Sequence, residues 1–280
     1  MNSVAVIGAG ELGGLLAHVL ARRDAVSEVR LIDDAGGIAA GKALDIEQAA
    51  PIERFATRVA ASADVSAAGG STIVVLADRA KGGQWSGDEG LMLLTRMVGL
   101  IGNAVIVCAG PETRELIERG VRELHVPRER LFGSAPEALT AAVRAIVALE
   151  IDGSPRDVAL TAVGVPPDQV VVSWDDAAIG GFGATRVLNE VDRRRISARV
   201  PHLWPPGPYA LACAAAKVVE AIVGRSRGAA SCFVAPDDSS GRRARVAALP
   251  VRLGPRGIEA VVLPALNARD RVVLENAMLL

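Results

Sequence analysis

The chain has 280 residues, 50% of them hydrophobic but only 3% aromatic, so its core has to be filled by Ala, Val, Leu and Ile side chains. A balance of 31 basic against 32 acidic residues leaves a net charge of -1, which removes the electrostatic case for nucleic acid or a membrane surface as a partner; high hydrophobicity with so little net charge also excludes a disordered chain. The best uncharged stretch, Met97 to Pro111, is interrupted by Gly99, Gly102 and Asn103 and falls short of the roughly 20 apolar residues a membrane span needs.

The first half alternates short β-branched runs with longer helical patterns, as a parallel sheet wound with helices requires. Strands are predicted at Val4 to Ile7, Val29 to Ile32, Thr72 to Leu76, Ala104 to Cys108 and Arg130 to Phe132. Between the first two, Leu12, Leu15, Leu16, Val19 and Leu20 recur at helical spacing. The strands are unbroken apolar runs, so both their faces are expected to be buried. An alanine-rich helix, Pro136 to Leu149, leads into the second half. There the pattern predicts strands at Val158 to Val163 and Gln169 to Ser173, a helix around Val187 to Arg195 and a proline-rich break from Pro201 to Pro208. A long apolar helix, Tyr209 to Val223, follows, with strands near Cys232 to Ala235, Ala244 to Leu253 and Ile258 to Leu263 and a terminal helix from Arg269 to Leu280. Gly254-Pro255-Arg256-Gly257 reads as a hairpin turn, because proline fixes φ and glycine permits a positive one. Met1 runs into the first strand without the basic segment of a signal peptide. Cys108, Cys213 and Cys232 lack metal-ligand spacing, so no metal is expected; free thiols in a reducing cytoplasm are the simplest reading.

Gly8-Ala9-Gly10-Glu11-Leu12-Gly13 is a GxGxxG that follows the first strand and opens the first helix. The first glycine permits the tight turn, the second lets backbone approach a pyrophosphate, and the third lets helix and strand pack closely. The helix N-terminus supplies N–H donors and the positive end of its dipole. Asp33, about 20 residues on at the end of the second strand, is placed to hold a ribose 2′-hydroxyl. A 2′-phosphate would be repelled by Asp33 and Asp34, with only Arg30 nearby and expected to point elsewhere, so NAD is preferred over NADP. The alternative is a glycine turn in a parallel sheet that binds nothing. The fold class is therefore α/β: a Rossmann-type doubly wound parallel sheet over residues 1–140, followed without a flexible linker by a second α+β subdomain over residues 141–280.

The stretch Leu31-Ile32-Asp33-Asp34-Ala35-Gly36-Gly37-Ile38-Ala39-Ala40-Gly41-Lys42-Ala43-Leu44-Asp45-Ile46 resembles the lactate and malate dehydrogenase family, in which an acidic strand end is followed by a Gly-Lys-Ala-x-Asp-Leu helix segment and a proline such as Pro51. The resemblance continues in Arg130-Leu131-Phe132-Gly133, in Tyr209-Ala210 opening an alanine-rich helix, and in Ala248-Leu249-Pro250-Val251-Arg252-Leu253-Gly254 with Gly257-Ile258-Glu259. It covers nearly the whole chain, which is shorter than usual for the family, chiefly between Trp174 and Tyr209. It implies an NAD site formed by Gly8, Ala9, Gly10, Glu11, Leu12, Gly13, Asp33 and Ala77. It also implies a homodimer or homotetramer, for which the helices Leu12 to Arg22 and Tyr209 to Val223 are apolar enough, although a monomer core would read the same way.

The family's reaction needs a histidine to take the hydroxyl proton, a carboxylate to orient it, and arginines to clamp the substrate carboxylate and polarise the carbonyl. The histidine segment is best matched by Gly164-Val165-Pro166-Pro167-Asp168, which places Pro166 at the histidine. Ala138-Leu139-Thr140-Ala141-Ala142-Val143-Arg144 puts Leu139 at the aspartate and Ala142 at the clamp arginine. The substrate-contacting asparagine reads Gly110, before Pro111. In the loop Ala77 to Glu89 the two arginine positions fall near Lys81 and Gly87, with Arg79 close by; Lys81 offers a point charge but no planar fork. General acid–base catalysis is worth about 10²- to 10⁴-fold, so the expectation is an NAD-binding protein with a degenerate active site. The competing expectation is an active NAD-dependent oxidoreductase that takes a different small hydroxy or keto acid, with His202 or Lys81 as substitute groups. His202 lies in Pro201-His202-Leu203-Trp204-Pro205-Pro206-Gly207-Pro208, which also reads as a rigid loop. His18 and His125 read as surface or capping residues, Asp168, Asp175 and Asp176 as solvated turns, and Cys108 as an inert buried thiol. Trp85 reads as a ligand cover or an interface anchor, and the turn Asp237 to Arg243 is assigned no role.

Overall fold

The computed structural model describes residues 2–237 and 245–279. In the first half β1 (Ser3–Ile7), α1 (Glu11–Arg22), β2 (Glu28–Ile32), α2 (Gly36–Glu53) and β3 (Arg58–Ser62) are followed by β4 (Ile73–Leu76). A small hairpin of β5 (Asp78–Arg79) and β6 (Gly83–Gln84) comes next, and then α3 (Gly87–Val98), β7 (Val105–Cys108), α4 (Arg114–Arg122) and β8 (Leu131–Gly133). Six strands lie parallel in the order β3-β2-β1-β4-β7-β8. β4 and β7 are buried along their whole length, as their unbroken Val, Ile and Leu runs require. Strand order reverses between β1 and β4, and the crevice outside their carboxyl ends is the place where such a sheet receives a ligand. The parallel strand that the sequence pattern does not predict is β3, an edge strand in which Val59 is the single buried residue and the rest are Arg, Ala and Ser. One large apolar side chain gives no periodic signal.

The second half contains α5 (Ala135–Glu150), β9 (Val158–Ala159), β10 (Ala162–Val165), β11 (Gln169–Val172), β12 (Ala178–Ile179), β13 (Phe182–Gly183), α6 (Ala184–Val187) and α7 (Glu190–Arg199). They are followed by α8 (Pro208–Ile222), β14 (Ala230–Val234), β15 (Ala247–Gly254), β16 (Gly257–Val261) and α9 (Ala268–Met278). The strand expected over Val158 to Val163 is two: β9 pairs with β12 in a small separate sheet, and β10 pairs with β11 and β15. The helix expected from Val187 begins at Glu190, where Asn189 caps it by accepting the Asp192 N–H at 2.9 Å. The Gly254–Gly257 turn joins β15 to β16 with Gly257 at φ 99°. The expected strand start at Ala244, the helix end at Leu280 and turn residues 238–243 lie outside the described residues.

A single sheet runs through both halves. β14 pairs antiparallel with β8 at Phe233 and Gly133, and β15, β10 and β11 continue from it. The expected boundary at residue 140 falls inside α5. α8 packs against α1 and α5 of the same chain, with Arg23 and Glu220 2.9 Å apart across the first contact, so its apolar stripe is monomer core. α5, α8 and β14 also meet at buried Glu137, which accepts the Ser231 N–H at 2.8 Å and pairs with Lys217. No helix among the described residues is long and apolar enough to cross a membrane.

Candidate functional site

The turn from β1 into α1 is built on its glycines. Gly8 sits at φ 110°, and a Cβ on Gly13 would collide with the Gly8 carbonyl oxygen, so α1 can approach β1 this closely only without a side chain there. Gly10 is the N-cap of α1 and has no side chain to satisfy the first amides. Those amides are satisfied from elsewhere: Asp78 Oδ1 accepts the Gly13 N–H at 2.9 Å, Asp78 Oδ2 accepts the Leu12 N–H at 3.2 Å, and the Asp78 carbonyl accepts the Gly10 N–H at 2.9 Å. The space that Gly10 leaves open is filled by that carboxylate, since a Cβ on Gly10 would collide with it. Sequence reasoning missed Asp78 because 65 residues separate it from Gly13 and no local motif joins them.

Asp33 directly follows β2 and is buried. Its Oδ2 accepts N–H groups of Ala9 at 2.7 Å and Ala80 at 2.9 Å, and its Oδ1 accepts that of Ala35 at 2.9 Å. Burial alone would raise the Asp33 carboxyl, but these hydrogen bonds outweigh it and hold the group below the ordinary aspartate value. Arg30 turns away, as expected, to Glu28 and the carbonyls of Ala67 and Gly69. Lys42 on α2 donates to the Gly10 carbonyl at 2.5 Å. The eight expected cofactor residues lie close together: Gly8 to Gly13 on the β1–α1 turn, Asp33 beside it, and Ala77 just after β4, its N–H bonded to the Ile7 carbonyl at 2.9 Å. As arranged, the Leu12 and Gly13 amides and the Asp33 carboxylate are already engaged, and they do not fit a dinucleotide without a displacement.

The segment that would have to move is the β5–β6 hairpin. Arg79 lies 4.8 Å from the centre of the Trp85 ring, donates to the Gly82 carbonyl at 2.8 Å and pairs with Glu89 at 2.9 Å. Lys81 is exposed near the tip. At the other end Gln84 Oε1 accepts the Glu112 N–H at 3.2 Å, and a Cβ on Gly110 would collide with that oxygen. Where the resemblance places an asparagine, the glutamine of the hairpin takes the room.

Beyond Gly110 a cavity of about 430 Å³ is lined by Pro111, Pro166, Trp204, Arg114 and Arg245, with Glu112, Glu115 and Glu118 at its side. Pro166, the histidine position of the resemblance, lines this cavity, and no histidine is among its lining residues. Leu139 is 1% exposed and packs in the second-half core with Val143 and Val158. Gly87 opens α3 at φ 53°. Arg114 donates to the Val246 carbonyl at 3.2 Å; burial and then Arg245 lower it from the usual guanidinium value. His202 is exposed on the turn Val200–Leu203 and does not line the cavity, whereas Trp204 packs edge-on against Phe233 at 5.7 Å. Cys108, at the end of β7, is buried and pushed up to about 12 by that burial. Among the described residues no group of His, Cys, Asp and Glu is arranged to hold a metal ion.

Comparison with known proteins agrees with this fold. Residues 2–112 match the family described as lactate/malate dehydrogenase, NAD binding domain. A malate dehydrogenase of Salinibacter ruber is 28% identical, covering 98% of this chain and 93% of its own. A solved malate dehydrogenase structure from Salinibacter ruber has a TM-score of 0.85 at 26% identity, covering 98% and 93% of the two chains. Malate dehydrogenase from Aeropyrum pernix shares the fold, with a TM-score of 0.87 at 19% identity over 98% and 95%. Residues 2–112 thus resemble the NAD-binding domain of the lactate and malate dehydrogenases, and the chain is similar to malate dehydrogenases over 98% of its length.

Proposed function

We propose that this protein is built on the NAD-binding fold of the lactate and malate dehydrogenases but does not catalyse the ordinary oxidation of malate or lactate. The observation that carries the reading is what stands at the histidine and asparagine positions of the resemblance: Pro166, which lines the 430 Å³ cavity, and Gly110, whose open side is taken by Gln84. Oxidising a hydroxy acid requires a base within hydrogen-bond reach of the hydroxyl proton, and a proline ring has none. Leu139, at the carboxylate position, is sealed in apolar packing and orients nothing. Arg114 and Arg245 do supply positive charge, but Arg114 is held by the Val246 carbonyl and three glutamates share the cavity.

NAD rather than NADP belongs to this reading, because among the described residues no ion pair joins Asp33 or Asp34 to a cation, and Arg30 is committed to Glu28. A cytoplasmic homodimer or homotetramer belongs to it too, with exposed Leu44 and Ile52 on α2 and Tyr209 on α8 as the apolar side chains available to a partner copy. The test follows NADH absorbance with oxaloacetate and with pyruvate. The expected rate is background; turnover near about 10 s⁻¹, ordinary for an enzyme, overturns the proposal.

A further inference from the structure

The glycines of the β1–α1 turn clear a path for an anion to reach the first amides of α1, and in this chain the anion that reaches them is the chain's own. The Asp78 carboxylate bridges the Leu12 and Gly13 N–H groups across the open face of Gly10. Two residues on, the Ala80 N–H bonds to Asp33, the one carboxylate placed to receive a ribose hydroxyl. Further along, Gln84 fills the space beside Gly110. Three residues of one hairpin therefore engage the pyrophosphate, ribose and substrate-side positions of the crevice at once.

We propose that the β5–β6 hairpin is an internal competitor of the dinucleotide, and that NAD enters only when Asp78 leaves the N-terminus of α1. This rests on the reading above that NAD is the ligand of the crevice. A pyrophosphate and a carboxylate claim the same two donors and repel each other, so the closed hairpin and the bound dinucleotide exclude one another. Arg79 holds the closed form through Trp85, the Gly82 carbonyl and Glu89. The closed form also carries a cost: Arg79 Nε and Trp85 Nε1 are buried without a hydrogen-bond partner among the described residues. Gly82 and Gly83 sit at φ 113° and 74°, which glycine adopts without the strain a side chain would add. When the open hairpin is about one part in ten of the population, apparent affinity falls about tenfold, and it falls further as that fraction shrinks. By reciprocity, bound NADH displaces the hairpin and frees Arg79 and Trp85.

Calorimetric titration of the full chain with NADH tests this in the unsubstituted protein, in Asp78→Gly and in Asp78→Asn, each confirmed folded by circular dichroism. The expected result is that Asp78→Gly binds at least about tenfold more tightly than the unsubstituted chain and that Asp78→Asn also gains affinity. Equal affinity in all three overturns the competitor and leaves NAD binding standing. Absence of binding in all three overturns both the competitor and the NAD reading beneath it. If loss of the cap unfolds Asp78→Gly, the comparison with Asp78→Asn decides alone.

Discussion

Glu137 and Lys217 are paired in the seam between α5 and α8, the glutamate side chain 5% exposed and the lysine 32%. The Ser231 N–H is the second donor to the carboxylate, and the Ser231 hydroxyl is 3.0 Å from that of Thr140. Removing one member of such a pair strands the other charge away from water. Lys217→Ala is expected to lower stability by about 3 kcal/mol, the low end for a buried pair because Lys217 retains some solvent. Replacing both residues with Glu137→Leu and Lys217→Met is expected to recover most of it, as read by urea denaturation.

Asp33 and Asp24 set an acid limit. The Thr57 hydroxyl, followed by the Ala56 N–H, holds Asp24 below the ordinary value of 3.8, and backbone N–H groups hold Asp33 below it against the cost of burial. A depressed folded-state value contributes stability above the unfolded value and loses it as pH falls through the folded one. The melting temperature should therefore begin to fall below about pH 4, and Asp33→Asn should flatten part of that fall. An unchanged acid profile in Asp33→Asn would remove Asp33 from the account.

The three thiols differ in access. Cys213 on α8 is exposed, while Cys108 and Cys232 are buried and raised by that burial, Cys232 further by the nearby Glu137 carboxylate. An aromatic disulfide reagent should titrate one thiol in the folded protein and all three in guanidinium. Fast reaction of a second thiol in the folded state would place Cys108 or Cys232 within reach of solvent.

Two glycines should respond oppositely to alanine. Gly13→Ala drives a methyl group into the Gly8 carbonyl and should cost about 2–3 kcal/mol as α1 is pushed off β1. Gly41, inside α2 with nothing within 4 Å of its missing Cβ, should gain about 0.5–1 kcal/mol as alanine. Thermal unfolding of the two variants checks both signs.

The sequence exposes the parallel half wherever strands are continuous apolar runs, because burial on both faces leaves that imprint. It hides β3, whose partner covers only Val59. The β1–α1 turn and its neighbour Asp33 were legible because Gly8, Gly10, Gly13 and Asp33 stand in a local motif with fixed spacing. Asp78 and Gln84 were not, since their partners lie 65 residues back in one case and 28 ahead in the other, and a charged residue after a strand reads as an ordinary loop. The emptiness of position 110 could be read from Gly110 itself; what fills it could not.

The pairing of Phe233 with Gly133 makes β8 and β14 neighbours in one continuous sheet, and this governs how a ligand can be received. A protein whose halves were joined by a flexible linker could engulf a cofactor by rotating one body onto the other. Here the wall behind the β1–α1 turn is one sheet continuous from β3 to β11, and rotating one half on the other would break the β8–β14 pairing. Admission must be decided by something small enough to move against a stationary background, and the seven residues from Asp78 to Gln84 are that size.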